Sequence, residues 1–355
     1  MTKIDEAKEI RNGEQLDVRK LEVFLKDSIS GLDGEVTVKQ FPSGFSNLTY
    51  YLKIGEREMV LRRPPFGKKA KTAHDMSREF RILSALKPVY PYCPEPYLYC
   101  EDESVIGNPF YVMQKFNGVI LRRDFPKEIT PDAADAEKLS RNLIGVLCEL
   151  HAIDYDKIGF GNFGKPEGYV ERQVKGWTQR YIDSKTDDAP DFETVMKWLG
   201  DNMPPDTGSP SIIHNDYKFD NVVLNPQNIL EITGVLDWEM ATIGDPLMDL
   251  GNSLAYWVNR TDTPEQQMMR QMPTNLEGML SRKEQVALYS KLTGRPVDSF
   301  YYYYCFGLFR LAVIGQQIYY RYYHGQTSDE RFKLIIYGVK ALEKAALNVI
   351  NTEDF

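Results

Sequence analysis

His214, Asp216 and Asn221 share one short run, Ile212-Ile213-His214-Asn215-Asp216-Tyr217-Lys218-Phe219-Asp220-Asn221, which reads H-x-D-x-x-x-x-N. A further carboxylate, Asp237, ends the apolar stretch Val235-Leu236 and precedes Trp238-Glu239. Phosphoryl transfer asks for such groups: an acid that orients and deprotonates a hydroxyl, then amide and carboxylate oxygens that hold Mg²⁺ against nucleotide phosphates. Taken alone, the first run arises readily by chance, with Asp216 capping a turn. Its coupling to Asp237 and to Gly244-Asp245-Pro246-Leu247-Met248-Asp249-Leu250 makes chance a poor account. Within the run, His214 reads as a hydrogen-bonded structural residue. Asp245 and Asp249 read as caps or braces for the following helix and loop.

Such residues need rigid supports. Apolar pairs flank the motif, Ile212-Ile213 before it and Val222-Val223-Leu224 after it, so Asp216 falls on a loop between two short strands. Pro226-Gln227-Asn228 turns the chain, and residues 232–236 return it to deliver Asp237 beside Asn221. Upstream, Leu21, Leu25 and Ile29 repeat at helical spacing behind a capping Asp17. Strand-like runs follow at 36–41, 48–54 and 58–63, the last two flanking a Gly55-Glu56 turn. Residues 73–86 are helical in pattern, the stretch holding Pro88, Pro91, Pro94 and Pro96 reads as loop, and 109–115 is a strand. Strands, helix, strand describe an α+β lobe over 1–116, and Asn117-Gly118 reads as a hinge. From 117 to 355 the pattern is mostly helical: 139–151, 168–184, 191–199, 247–258, 281–292, 299–324 and 328–350, with 260–273 as polar loop.

Composition narrows the class. A chain of 355 residues suggests two domains, and 42% hydrophobic with 26% charged residues is globular. A net charge of −8 argues against a nucleic-acid partner. Cys93, Cys100, Cys148 and Cys305 show no C-x-x-C pairing, which fits reduced thiols in a cytoplasmic protein rather than zinc or disulfides. The N-terminal residues lack a secretory h-region. The apolar run 301–320 is broken by Arg310, Gln316 and Gln317, so it reads as a buried helix and not a membrane span.

His214-Asn215-Asp216…Asn221, Val235-Leu236-Asp237-Trp238-Glu239 and Gly244-Asp245-Pro246…Asp249-Leu250 resemble the aminoglycoside phosphotransferase/choline kinase family, across roughly 36–338. Within it, Val60-Leu61-Arg62-Arg63-Pro64-Pro65, Ser77-Arg78-Glu79-Phe80-Arg81, Arg172-Gln173-Val174 and Gln316-Gln317-Ile318-Tyr319 look closest to the phosphotransferase-like domain associated with acyl-CoA dehydrogenases. The resemblance implies a protein-kinase-like bilobal fold, with a small antiparallel-sheet lobe and a larger helical one. It implies Asp216 as catalytic base, Asn221 and Asp237 as Mg²⁺ ligands, and Glu79 as the acid pairing a strand cation over the phosphates of ATP. Ser43, Gly44, Ser46 and Asn47 would form the phosphate loop, and Gln114, Lys115 and Phe116 the adenine-facing connection.

Departures from the pattern of protein kinases leave questions open. The third strand offers Arg62 instead of Lys, with Lys53 as the alternative cation, and Arg is not equivalent at a tight site. The phosphate loop has one glycine, Gly44. Trp238-Glu239 follows the metal Asp, as in small-molecule kinases; Glu239 either touches the metal or braces a neighbouring cation. The expected activity is ATP- and Mg²⁺-dependent phosphorylation of a small-molecule hydroxyl. By resemblance the acceptor is a hydroxyacyl-CoA, with Arg122, Arg123, Arg172, Lys175 and Arg180 available to its phosphates. An aminoglycoside, a polycation, would want acidic stretches that 154–206 and 260–296 do not show. Choline and sugars stay open as acceptors. The competing expectation is an inactive nucleotide-binding regulatory module, favoured by Arg62 and the single loop glycine. Neither a membrane nor a nucleic acid is expected as a partner, and these features do not specify a protein partner.

Overall fold

The computed structural model describes residues 7–42, 47–65, 75–205 and 208–355. By packing, the chain divides into two compact units, Met1–Ile120 with Val222–Glu239, and Leu121–Asn221 with Met240–Phe355. The sequence reading instead drew a single boundary after Phe116. The difference lies in residues 222–239, which follow the Asp216 motif in sequence but pack with the first unit.

The first unit opens with α1 (Val18–Ser28), capped by the Asp17 side chain accepting from the Lys20 N–H. Strands β1 (Val36–Gln40), β2 (Leu48–Ile54) and β3 (Arg57–Arg63) follow, then α2 (Met76–Leu86), β4 (Pro96–Cys100), the single turn α3 (Glu103–Ile106) and β5 (Phe110–Gln114). The five strands form one antiparallel sheet in the order β1-β2-β3-β5-β4. Gly55 makes the β2–β3 turn at φ +58, and a Cβ there would lie 2.3 Å from the Asp33 carbonyl oxygen.

Alternation along the strands sorts the side chains. Leu48, Tyr50, Leu52 and Ile54 of β2, Met59 and Leu61 of β3, and Phe110 and Val112 of β5 join a buried cluster with Leu21 and Leu25 of α1. One residue on from Leu61, Arg62 falls on the opposite face, towards α2, where Glu79, Ile82 and Leu83 are buried. Two features went unseen in the sequence. The edge strand β4 lies in the proline-rich stretch expected to be loop; an edge strand tolerates Pro96 at its first position, where the missing N–H is not needed. The four-residue α3 is too short to show a period.

Gly118, expected as a hinge, has another use. Val119 and Leu224 exchange backbone hydrogen bonds of 2.9 and 2.8 Å, and a Cβ on Gly118 would sit 2.3 Å from the Leu224 carbonyl oxygen. Absence of a side chain, not backbone freedom, is what this position requires.

The second unit carries α4 (Ala133–His151), α5 (Tyr169–Ser184), α6 (Glu193–Asp201) and β6 (Ser211–Ile213). The hairpin β7 (Val222–Asn225) and β8 (Asn228–Val235) belongs to the first unit, and β9 (Thr242–Gly244) pairs with β6 in the second. Then come α7 (Pro246–Ala255), α8 (Pro264–Met269), α9 (Arg282–Thr293), α10 (Phe300–Tyr323) and α11 (Ile335–Thr352). The segment holding α8 was expected as loop; a Thr263/Gln266 capping box starts this short helix. The tyrosine run of α10 lies in the core, with Tyr302, Tyr303 and Tyr304 all buried. Among the described residues no helix is long and apolar enough to cross a membrane.

Two glycines let α7 and α10 cross closely. A Cβ on Gly251 would lie 2.3 Å from the Tyr303 carbonyl oxygen, and one on Gly307 would lie 2.3 Å from that of Gly251. Backbone opposes backbone at both points, so neither clash can be relieved by a rotamer change. Gly307→Ala is expected to destabilise the protein by about 1–3 kcal/mol, the usual cost of overpacking, measured by urea unfolding. An unchanged midpoint would show that the two helices can part without penalty.

Candidate active site

In the second unit, strand β6 leads directly into the loop that bears Asp216. His214 is fully buried, and its Nδ1 accepts the Asp216 N–H at 3.2 Å, the structural part expected of it. Asn215 takes φ +65, a left-handed conformation that Asn tolerates better than most residues. Several groups hold it there. Its side-chain oxygen accepts from the Tyr169 hydroxyl at 3.2 Å, its Nδ2 donates to the Met240 carbonyl at 3.1 Å, and its own carbonyl accepts from Arg310 Nη2 at 2.9 Å.

Beneath the loop lies Asp249 of α7, wholly buried. Its two carboxylate oxygens accept the N–H groups of His214 and Asn215, each at 2.7 Å. His151, at the end of α4, adds a third bond from Nε2 at 3.1 Å, and its Nδ1 lies 2.8 Å from the Tyr289 hydroxyl. Burial alone would raise the Asp249 pKa; His151, His214 and the backbone donors outweigh it and hold the carboxyl below its ordinary range. Asp245 caps α7, accepting from the N–H groups of Leu247 and Met248 at 2.8 and 3.1 Å. Both acids are the caps and braces expected of them.

Above this foundation the Asp216 side chain remains 21% exposed. Its Oδ2 accepts from Lys218 Nζ at 2.5 Å and from Asn221 Nδ2 at 2.8 Å. Asn221 also donates to the Asp216 carbonyl at 2.8 Å, so its Nδ2 is committed to Asp216 and Oδ1 is the atom suited to a cation. Lys218 was not singled out in the sequence. Its ammonium lies over the Tyr256 ring at 4.8 Å and its side chain is 9% exposed; a lysine two residues from the acid was the signal available in the sequence.

In the first unit, the guanidinium of Arg62 gathers three carboxylates. Nη1 donates to Glu79 Oε1 at 2.6 Å, both Nη atoms reach Asp237 Oδ1 at 3.1 Å, and Nη2 lies 3.4 Å from Glu239 Oε2. Burial alone would lower the Arg62 pKa; Glu79, Tyr111, Asp237 and Glu239 outweigh it and hold it above the ordinary guanidinium value. Lys53, the alternative cation, pairs with the exposed Glu56 at 3.7 Å instead. Asp237 adopts φ +66 where β8 ends, a conformation rare outside glycine that turns its side chain out of the strand. Glu239 accepts from Asn47 Nδ2 at 2.9 Å, and its carbonyl accepts from Arg78 Nη1 at 3.2 Å. The Glu239 carboxylate thus contacts Arg62 and Asn47, and its backbone carbonyl contacts Arg78.

The remaining expected residues are placed as follows. Ser43, Gly44 and Ser46 lie outside the described residues. Gln114 is tied to Glu95, whose N–H it accepts at 3.1 Å. Lys115 donates to Glu58 at 2.8 Å, and Phe116 packs against Gly234, where a Cβ would approach its ring to 2.6 Å. Of the cations considered for acceptor phosphates, Arg122 pairs with Asp220, Arg172 donates to the carbonyls of Lys165 and Glu167, and Lys175 pairs with Glu171 at 2.5 Å. Arg123 donates to the Arg270 carbonyl at 3.3 Å. Arg180 stacks on Trp177, with no ion-pair partner among the described residues.

A helix-braced loop carrying Asp216 and Asn221, and a strand arginine paired to a helix glutamate, define an α+β protein of the protein-kinase-like class. The chain belongs to the phosphotransferase enzyme family, whose profile matches residues 37–283. It is 32% identical over 349 residues to acyl-CoA dehydrogenase family member 11 of Gallus gallus, a match covering 96% of this chain and 44% of that protein. The chain thus spans less than half the length of such curated relatives. A solved structure from Ralstonia eutropha, provisionally described as an aminoglycoside phosphotransferase, superposes with TM-score 0.80 at 28% identity, over 94% of this chain and 98% of its own. Spectinomycin phosphotransferase, solved with ADP and spectinomycin, shares the fold with TM-score 0.60 at 13% identity, over 95% of this chain and 98% of its own.

Removing the Asp249 carboxylate strands two backbone donors and His151. Asp249→Ala is expected to cost about 3–5 kcal/mol at neutral pH, read from chemical unfolding. Because the folded carboxyl is held below its unfolded value of about 3.9, its contribution is present above that pH and is lost as pH falls through the lower, folded pKa. The gap between wild type and variant should therefore narrow below about pH 4. A gap that stays constant to pH 2 would remove the ionised carboxylate as its cause.

Proposed function

We propose that this chain transfers the γ-phosphate of ATP to a hydroxyl of a small molecule. The observation that carries the reading is the partly exposed Asp216 carboxylate, held by Lys218 and Asn221 on a loop whose backbone Asp249 fixes. The acceptor oxygen attacks the γ-phosphorus as the bond to the β–γ bridging oxygen breaks. ADP leaves, and the hydroxyl proton passes to Asp216. Lys218, within reach of the same carboxylate, compensates negative charge where the phosphoryl group arrives.

For the nucleotide we assign Arg62, steadied by Glu79, to the phosphates, with Ser43, Gly44, Ser46 and Asn47 as the phosphate loop and Gln114, Lys115 and Phe116 at the adenine. The donor types fit Mg²⁺: Asn221 Oδ1 and the Asp237 carboxylate are hard oxygens. When bound, Mg²⁺ would neutralise phosphate charge. Mg²⁺ takes part of its coordination from phosphate and water, so it does not require a full cage of protein ligands.

For the acceptor we favour a hydroxyacyl-CoA. Support comes from the relatives named as acyl-CoA dehydrogenases and from Arg180, whose guanidinium is not spent on a carboxylate. An aminoglycoside, choline or a sugar is the alternative substrate. The buried free cysteines accord with a cytoplasmic setting. One observation favours an inactive nucleotide-binding module instead: Arg62 grips Asp237, the residue assigned to the metal, with both Nη atoms.

Turnover separates these readings. MgATP at a hundred times its Kd should add about 2.7 kcal/mol of stability in thermal melting, to wild type and Asp216→Ala alike. Asp216→Ala should lower kcat by about 10²–10⁴-fold. In a panel of hydroxyacyl-CoAs, aminoglycosides, choline and sugars, the first should be phosphorylated most efficiently. Undiminished turnover in the variant would dismiss Asp216 as base, and MgATP binding without turnover of any acceptor would favour the regulatory module.

A further inference from the structure

We infer that Tyr256 is a positioning residue: its ring holds the Lys218 ammonium on one Asp216 oxygen, leaving the other clear for the acceptor hydroxyl. This rests on the phosphotransfer reading and adds to it the group that orients the base.

Helix α7 meets the Asp216 loop along one face. Asp249, Asn252 and Tyr256 recur at intervals of three and four, the spacing that stacks side chains on one side of a helix. Each takes a further part of the loop. Asp249 accepts the N–H groups of His214 and Asn215 at 2.7 Å, and Asn252 Nδ2 lies 3.4 Å from Asn215 Oδ1. Tyr256, which caps the C-terminal end of α7, has its ring centre 4.8 Å from Lys218 Nζ. The helix that fixes the backbone of the loop thus also reaches the lysine beyond Asp216.

The contacts at Asp216 are lopsided. Lys218 Nζ at 2.5 Å and Asn221 Nδ2 at 2.8 Å both fall on Oδ2, and among the described residues Oδ1 accepts nothing. Oδ1 is therefore the atom that takes the hydroxyl proton as the acceptor oxygen bonds to phosphorus. An ammonium on a long flexible stem does not choose between two carboxylate oxygens by charge alone. An ion pair to a carboxylate that is 21% exposed also fixes it weakly. The aromatic face supplies the restraint, because a cation over a tyrosine ring is drawn to a defined place. Lys218 pairs with no other carboxylate among the described residues, and its side chain is 9% exposed. Burial, and after it the charge of Asp216, push the Tyr256 phenol above its ordinary value against the opposing charge of Arg310. The ring therefore stays neutral and meets the ammonium with its π face, not as a phenolate.

Labelling of lysines with acetic anhydride, read by peptide mass spectrometry on the full chain, tests the restraint without an acceptor. Lys157, 82% exposed, serves as the internal reference. Tyr256→Leu, which removes the ring face, should raise Lys218 acetylation at least about fivefold relative to Lys157, while Tyr256→Phe keeps the wild-type rate. Should the leucine variant not fold, Tyr256→trifluorophenylalanine weakens the ring face at nearly constant shape and should raise the rate in the same direction. With the panel acceptor that is phosphorylated fastest, Tyr256→Leu should lower kcat about tenfold at unchanged KM for MgATP, and Tyr256→Phe should restore it. In a Lys218→Ala background the leucine substitution should cost nothing further in kcat. Equal acetylation of Lys218 with and without the ring face, or losses of kcat that simply add across the cycle, would overturn the proposal. Failure of the transfer reading looks different: Lys218 labelling still follows the ring while no acceptor is phosphorylated.

Discussion

Asp249 is the constraint on which the loop depends. A carboxylate taken out of water is costly unless its lone pairs are filled, and here two successive backbone N–H groups and a histidine fill them. In return the acid sets the direction of the chain at His214 and Asn215, immediately before Asp216. Tyr169, Met240 and Arg310 hold Asn215 from its other sides. A side chain two bonds from so restrained a backbone has little freedom left, which is the pre-organisation that positioning chemistry needs.

The charge cluster of the first unit follows the opposite logic. One guanidinium serves three carboxylates. Arg78 and Asn47 help at Glu239 without adding an anion. Such a cluster holds itself together through Arg62. In the second unit, by contrast, Asp216 is matched by one ammonium and one amide, and Asp249 is fully engaged below it.

Packing explains why these arrangements persist. α7 carries Asp249 and crosses α10 at Gly251 and Gly307, so the helix that braces the loop lies directly on the one that supplies Arg310. On the sheet of the first unit, alternation sends Leu61 towards α1 and Arg62 towards α2, where Glu79 waits one turn into the helix. Secondary structure thus converts two sequence periods into contacts between distant residues.

Much of this was legible in the chain itself. Residue types and local spacing determined the motif, the strands around it, the Gly55 turn and the long helices, because periodicity and turn residues act over a few neighbours. The protein-kinase-like class followed from the same motifs. Local pattern missed β4, whose prolines an edge position excuses, and α8, which is too short to repeat. Only the tertiary structure decided which cation meets which acid. Arg62 was the favoured cation and Lys53 the alternative, and the sheet and α2 brought Glu79 to the former; Arg122, Arg172 and Lys175 proved to be engaged by Asp220, backbone carbonyls and Glu171, while Arg180 stacks on Trp177. The bond between Asp249 and the loop was likewise invisible as a contact, although the residue itself was noticed. Electrostatic partnership depends on distance in space, falling off over a few ångströms, and a sequence records only distance along the chain.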